Sequence, residues 1–188
     1  MKKPSSPPNP PEKDNPETKE TQPLLQRNWV KNVLTAVFFI ALYLAIRPFM
    51  QGDVAEGMAP QLTSESITGK EIHLQDYRGK PVMVHFWATW CPICEFERDG
   101  IENIAQDYAV INIATQSNDD EGLLTYANVH KMNADIIVND FDGTLMKQFG
   151  ARAVPATFII GPTGKIEFVE VGYSTSLGLK ARLWWLSQ

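Results

Sequence analysis

The sequence predicts an α/β domain with a mixed central sheet and helices on both faces, preceded by one N-terminal transmembrane helix. Three observations carry this expectation. From residue 61 onward, apolar runs of strand length alternate with helical patterns, the signature of a sheet covered by helices. The only two cysteines of the 188-residue chain, Cys91 and Cys94, follow the apolar run 82–88 directly and open a helical pattern. Residues 33–46 carry no charge at all.

Composition divides the chain. Residues 1–28 hold seven of the thirteen prolines and no apolar periodicity, so they are expected to be disordered. Residues 1–48 carry seven Lys/Arg against four Asp/Glu, a net of +3, and residues 49–188 carry ten against eighteen, a net of −8. An acidic domain without a basic stripe argues against nucleic acid as a partner.

A spanning helix wants roughly 20 apolar residues. The stretch 29–49 reaches that length if Lys31 and Arg47 snorkel toward the headgroups, with Trp29 and Tyr43 as interfacial anchors. A buried core helix or a cleaved signal peptide is the alternative. A basic segment of some thirty residues precedes the run, and 54–59 is a poor cleavage site, so an uncleaved anchor in the lipid bilayer is favoured. Arg27 and Lys31 outweigh Arg47, which places the N-terminus in the cytoplasm. The expectation is a single-pass protein of a bacterial inner membrane with its soluble domain in the periplasm.

Residues 50–60, with Gly52, Gly57 and Pro60, read as a linker, and the domain is expected over 61–188. Two short strands, 61–66 and 71–74, flank the turn at Thr68-Gly69-Lys70. The strand at 82–88 is apolar on both faces apart from His85, as a central strand should be. A helix follows from Pro92 to about Tyr108, with Gly100 marking a bend or a close contact. Next come a strand at 109–115, a helix from the cap-type residues 118–121 to about Met132, a strand at 136–138 and a short helix at 144–149. The strand at 154–160 contains Pro155, which lacks the N–H for internal pairing and must sit at its start or on an edge. A turn at 161–164 leads to the strand 166–171, and a helix from Leu177 to about Leu186 closes the chain. Trp184 and Trp185 on it read as core packing, with a membrane or partner contact as the alternative.

A single C-x-x-C cannot form a disulfide framework and is either redox-active or half of a metal site. The rival function is thus a copper or zinc protein, with His73, His85 or His130 joining the thiolates. No second Cys or His pair stands at ligand spacing. No metal and no cofactor is expected.

The stretch 86–94, Phe-Trp-Ala-Thr-Trp-Cys-Pro-Ile-Cys, with Val154-Pro155-Ala156-Thr157-Phe158 downstream, resembles the thioredoxin superfamily. Over residues 58–188 it is similar to the membrane-anchored TlpA/ResA/DsbE-like proteins, and within them to the suppressor-of-copper-sensitivity protein D branch. The resemblance implies a thioredoxin-like fold and protein disulfide oxidoreductase activity. It implies that Cys91 is the exposed attacking sulfur and Cys94 the buried resolving one. It also implies a cis Val154–Pro155 peptide against the disulfide. The partners implied are periplasmic thiol or disulfide proteins and a membrane thiol-electron donor.

Thiolate, not thiol, is the nucleophile. Cys91 at the N-cap and Pro92 at the first helical position would place the helix dipole on the attacking sulfur. Trp90 and Val154 frame it. His85 and Glu97 are the candidate bases for Cys94, and each has a plainer reading, as a hydrogen-bonded core histidine and a solvated helix residue. This chain departs from its look-alikes at His85, where thioredoxin has a buried acid, and at Glu95, where many relatives have Arg. A proline common further along that helix is missing. Glu95 adds negative charge near the thiols, raises their pKa slightly and favours the reductase direction.

Overall fold

The computed structural model describes residues 24–51, 55 and 57–188. The chain divides between Tyr43 and Leu44 into two units. Helix α1 (Leu24–Gln51) covers the predicted span and begins inside the segment expected to be disordered. The rest of that segment, 1–23, lies outside the described residues. Trp29, Leu34, Phe38, Ile40 and Tyr43 are all exposed, and the apolar residues run around α1 rather than along one stripe. Among the described residues no helix is long and apolar enough to cross a membrane.

The stretch expected to be a free linker is in part docked. Ala55 N–H donates to Phe149 O at 2.9 Å, Ala59 N–H donates to Gly164 O at 3.0 Å, and Met58 bridges to Lys165. Small side chains allow this: Ala55 and Ala59 pack against the core.

Strands β1 (Thr63–Glu65) and β2 (Glu71–His73) form a separate antiparallel hairpin. The main sheet holds β3 (Val82–Trp87), β4 (Ala109–Thr115), β5 (Ile137–Asp140), β6 (Ala156–Ile160) and β7 (Ile166–Val171). Their order is β5-β4-β3-β6-β7. The β3–β4 and β4–β5 pairs are parallel, and the β3–β6 and β6–β7 pairs antiparallel, so the sheet is mixed, as expected. Helices α2 (Pro92–Ala105), α3 (Asp120–His130), α4 (Thr144–Gln148) and α5 (Ser176–Leu186) connect and cover it.

Strand β3 is central and every residue of it is buried. Its pleat sorts the core into two layers. Val82, Val84 and Phe86 face one layer with Ile111, Ile113, Phe149 and Phe158, where the rings of Phe86, Phe149 and Phe158 lie 5.1–5.8 Å apart. Met83 faces the other with Ile101 and Ile104 of α2 and Leu179 and Leu183 of α5. Helix α2 runs unbroken through Gly100. A side chain there would meet Ser176 Cβ at 3.1 Å, so this glycine marks a close contact between α2 and the start of α5, not a bend.

Trp184 and Trp185 are exposed, 55% and 69%, instead of packing in the core. The buried stripe of α5 is Leu179 and Leu183, and at about 100° per residue the next two positions turn away from it.

Candidate active site

The end of β3 delivers Trp87 and Ala88 to a turn closed by Cys91 N–H donating to Ala88 O at 3.2 Å. Cys91 is the N-cap of α2 and Pro92 occupies its first turn, where a missing N–H costs nothing. Cys91 Sγ accepts the Cys94 N–H at 3.2 Å. A sulfur in that position sits on the unpaired amides and positive end of the helix dipole, which favour its thiolate. The two sulfurs are joined as a disulfide, with Cα atoms 5.3 Å apart.

Burial does not separate the two cysteines, at 7% and 5% exposed. Their neighbours do. Cys91 stands between exposed Trp90 and Ile93, and its sulfur is 3.9 Å from the Val154 carbonyl oxygen. The Val154–Pro155 peptide is cis, and Pro155 lies just outside β6 rather than within a strand. Cys94 faces inward, onto a cavity of about 10 Å³ that it shares with His85, Arg98, Asn112 and Tyr126.

A polar loop supports the motif from the side. Trp90 Nε1–H donates to Gln116 O at 2.8 Å, and Thr89 N–H donates to Ser117 Oγ at 3.1 Å. Gln116 takes a positive φ of 45°. These supports and Arg98 were not singled out from the sequence; for Arg98 the available signal was its spacing, four residues after Cys94 and so on the same helix face.

The two candidate bases go to different places. His85 is buried, and its Nδ1 lies 2.9 Å from Thr157 Oγ1. Burial lowers its pKa to about 4, because an imidazolium there would lose its hydration. It faces the Cys94 cavity as a neutral ring. Glu97 is buried, at 4% exposed, rather than solvated. Burial pushes its pKa up to about 7, against the lowering effect of its hydrogen bond from Ser174 N–H. Its second oxygen, Oε2, is buried without a protein partner. Glu97 lines a groove with Phe96, Gly100, Ile101, Tyr173 and Ser174, and Ile101 also lines the Cys94 cavity.

His85 lines the Cys94 cavity, whereas His73 and His130 make other contacts. His73 Nδ1 lies 3.4 Å from Thr63 Oγ1, and the His130 ring stacks on Tyr126 at 4.2 Å. Among the described residues no group of three or more His, Cys, Asp or Glu is placed to hold a metal ion.

Comparison with known proteins agrees with this geometry. Residues 55–169 match the AhpC/TSA family. The chain is 26% identical over 137 residues to the thioredoxin-like protein YneN of Bacillus subtilis, covering 69% of this chain and 79% of that protein. It is 25% identical over 177 residues to the thiol-disulfide oxidoreductase ResA of Geobacillus thermodenitrificans, covering 88% and 97%. Among solved structures, the pneumococcal exposed lipoprotein thioredoxin of Streptococcus pneumoniae superposes with a TM-score of 0.60 at 23% identity, over 68% of this chain and all of that one. That likeness shows the thioredoxin-like fold.

Proposed function

Because the chain belongs to the AhpC/TSA family and its relatives are thiol-disulfide oxidoreductases, we propose that Cys91 and Cys94 exchange disulfides with extracytoplasmic proteins, mainly as a reductase, from a membrane tether. The observation that carries this reading is the position of Cys91. It caps α2, accepts the Cys94 N–H, and lies against the cis Val154–Pro155 segment.

In the reductase direction the Cys91 thiolate attacks one sulfur of a partner disulfide. A Cys91–partner bond forms, the partner's S–S bond breaks, and the leaving thiolate takes a proton from solvent. Cys94, as thiolate, then attacks Cys91 Sγ, closing the Cys91–Cys94 bond and releasing the second partner thiol. Two electrons have passed to the partner. A thiol donor must return them, and a membrane protein with an exposed dithiol fits that need. The preference for reduction rests on Glu95 in the first turn of α2, whose charge opposes a thiolate at the helix start. Exposure, at 62%, weakens that effect.

The tether rests on the uncharged run 33–46 and the exposed apolar surface of α1. The greater basic charge before this run than after it favours a cytoplasmic N-terminus and a periplasmic domain. Cys94→Ser tests the exchange reading: it is expected to hold partners as mixed disulfides at Cys91, recovered from the membrane fraction with the domain open to external protease. Absence of any Cys91-dependent adduct overturns the exchange reading. Recovery of the adduct from the soluble fraction overturns only the tether.

A further inference from the structure

The cavity behind the disulfide contains a cation that the mechanism above does not use. Arg98 is one helical turn beyond Cys94, and side chains on a helix lean back toward its N-terminus. Its side chain is only 17% exposed and lines the cavity together with Cys94, His85, Trp87, Asn112 and Tyr126. Arg98 Nε and Nη1 are buried without a hydrogen-bond partner, and so are Trp87 Nε1 and Asn112 Oδ1.

Three carboxylates interact with Arg98. Glu95 Oε1 is 3.9 Å from Nη1 and Asp99 Oδ1 is 3.4 Å from Nε. These acids are 62% and 89% exposed, so solvent screens them. The third, Glu102, is partly buried, and burial raises its pKa against the lowering effects of the hydrogen bond from Asn133 N–H and of Arg98. The other polar groups lining the cavity are His85 from β3, whose imidazole burial keeps neutral, Asn112 from β4 and Tyr126 from α3.

We propose that Arg98 is a positioning residue for the resolving step, its guanidinium stabilising the Cys94 thiolate that attacks the mixed disulfide. The inference rests on the reading of Cys91 and Cys94 as the exchanging pair. In the mixed-disulfide state the Cys94 S–H gives its proton to solvent, and the thiolate so formed lies in a low-dielectric cavity beside a fixed positive charge. It attacks Cys91 Sγ; the Cys91–Cys94 bond forms, the Cys91–partner bond breaks, and the partner departs as a thiolate that solvent protonates. His85 resists protonation in this cavity, and Glu97 is not among the residues lining it.

The test is the pH–rate profile for resolution of a Cys91–glutathione mixed disulfide in the full chain, for wild type, Arg98→Gln, Arg98→Met and Arg98→Lys. Loss of the cation is expected to move the break point of the profile upward by about one pH unit. At pH 7 that means roughly tenfold less thiolate, offset about threefold by its greater nucleophilicity, hence resolution roughly threefold slower. Above the break point the same variants are expected to be faster than wild type, which simple structural damage would not produce. Arg98→Lys is expected to keep the wild-type break point. If the folded Gln or Met variant shares the wild-type profile, or if Lys behaves like them, or if neither neutral variant folds while Lys shifts the profile, the inference is overturned. If wild type itself forms no resolvable adduct at Cys91, the reading of the cysteine pair fails instead.

Discussion

His85 Nδ1 and Thr157 Oγ1 lie 2.9 Å apart across the β3–β6 pair, and both residues are buried. This contact fixes the imidazole at the wall of the Cys94 cavity and satisfies one of its two nitrogens. Thr157→Val keeps the shape and removes the partner. It is expected to cost about 1–3 kcal/mol, because the ring nitrogen is then left unpaired in the core. Urea unfolding of the oxidised protein measures this, and a loss below about 0.5 kcal/mol would deny the bond a structural role.

The same histidine makes stability depend on acidity. Its pKa is about 4 when folded against 6.5 for an ordinary imidazole. Between those values the unfolded chain binds more protons, so stability falls as pH drops from 6.5 toward 4. The wild-type protein is expected to lose up to roughly 3 kcal/mol across this window from His85. His85→Gln should remove that part of the slope in urea unfolding measured between pH 4 and 7. An unchanged slope would mean that the imidazole is charged in the fold.

Glu97 acts in the opposite sense. Its pKa is raised from 4.5 to about 7, so the folded state holds the proton more tightly. Its contribution is fully present below 4.5 and is lost as pH rises through about 7. Glu97→Gln retains an oxygen for the Ser174 N–H and cannot ionise. The variant is expected to be more stable than wild type at pH 8, by about 1 kcal/mol or more, with the advantage vanishing near pH 4.5. Thermal unfolding at the two pH values decides it, and equal stabilities at pH 8 would contradict the burial argument.

Asp140 is a structural anchor rather than a catalytic acid. It is buried at the end of β5 and accepts from Thr115 Oγ1 at 2.9 Å, Leu145 N–H at 2.8 Å and Met146 N–H at 2.9 Å. Asp140→Ala strands these three donors and is expected to cost about 3 kcal/mol, with amide exchange in α4 accelerating most. A loss under 1 kcal/mol would show that water replaces the carboxylate freely.

Much of this was legible in the sequence because period and punctuation agreed. The strand 109–115 and the helix from Pro92, expected to about Tyr108 and observed to Ala105, follow from apolar spacing, and C-x-x-C followed by a Val-Pro segment marked the site. What escaped has a common cause: it depends on which groups meet across the fold. Glu97 looks solvated on a helix that carries acids freely, and only the Ser174 segment arriving from β7 buries it. Arg98 looks like one more surface charge until the cavity behind Cys94 is seen. Trp184 and Trp185 look like core residues by their chemistry, but the Leu179–Leu183 stripe already fills that layer. Likewise the stretch 50–60 reads only as a linker in the sequence because backbone pairing, as of Ala55 to Phe149, leaves no mark on side-chain pattern.

The central claim is that Cys91 is the attacking sulfur and Cys94 the resolving one. The most direct measurement is the pH dependence of alkylation of the fully reduced protein, with each modified cysteine located by peptide mass analysis. The N-cap position predicts that Cys91 is modified first, with a pKa well below the ordinary value of about 8.5, and that Cys94 stays protected at neutral pH. Preferential modification of Cys94, or a Cys91 pKa at or above the ordinary value, would contradict the account.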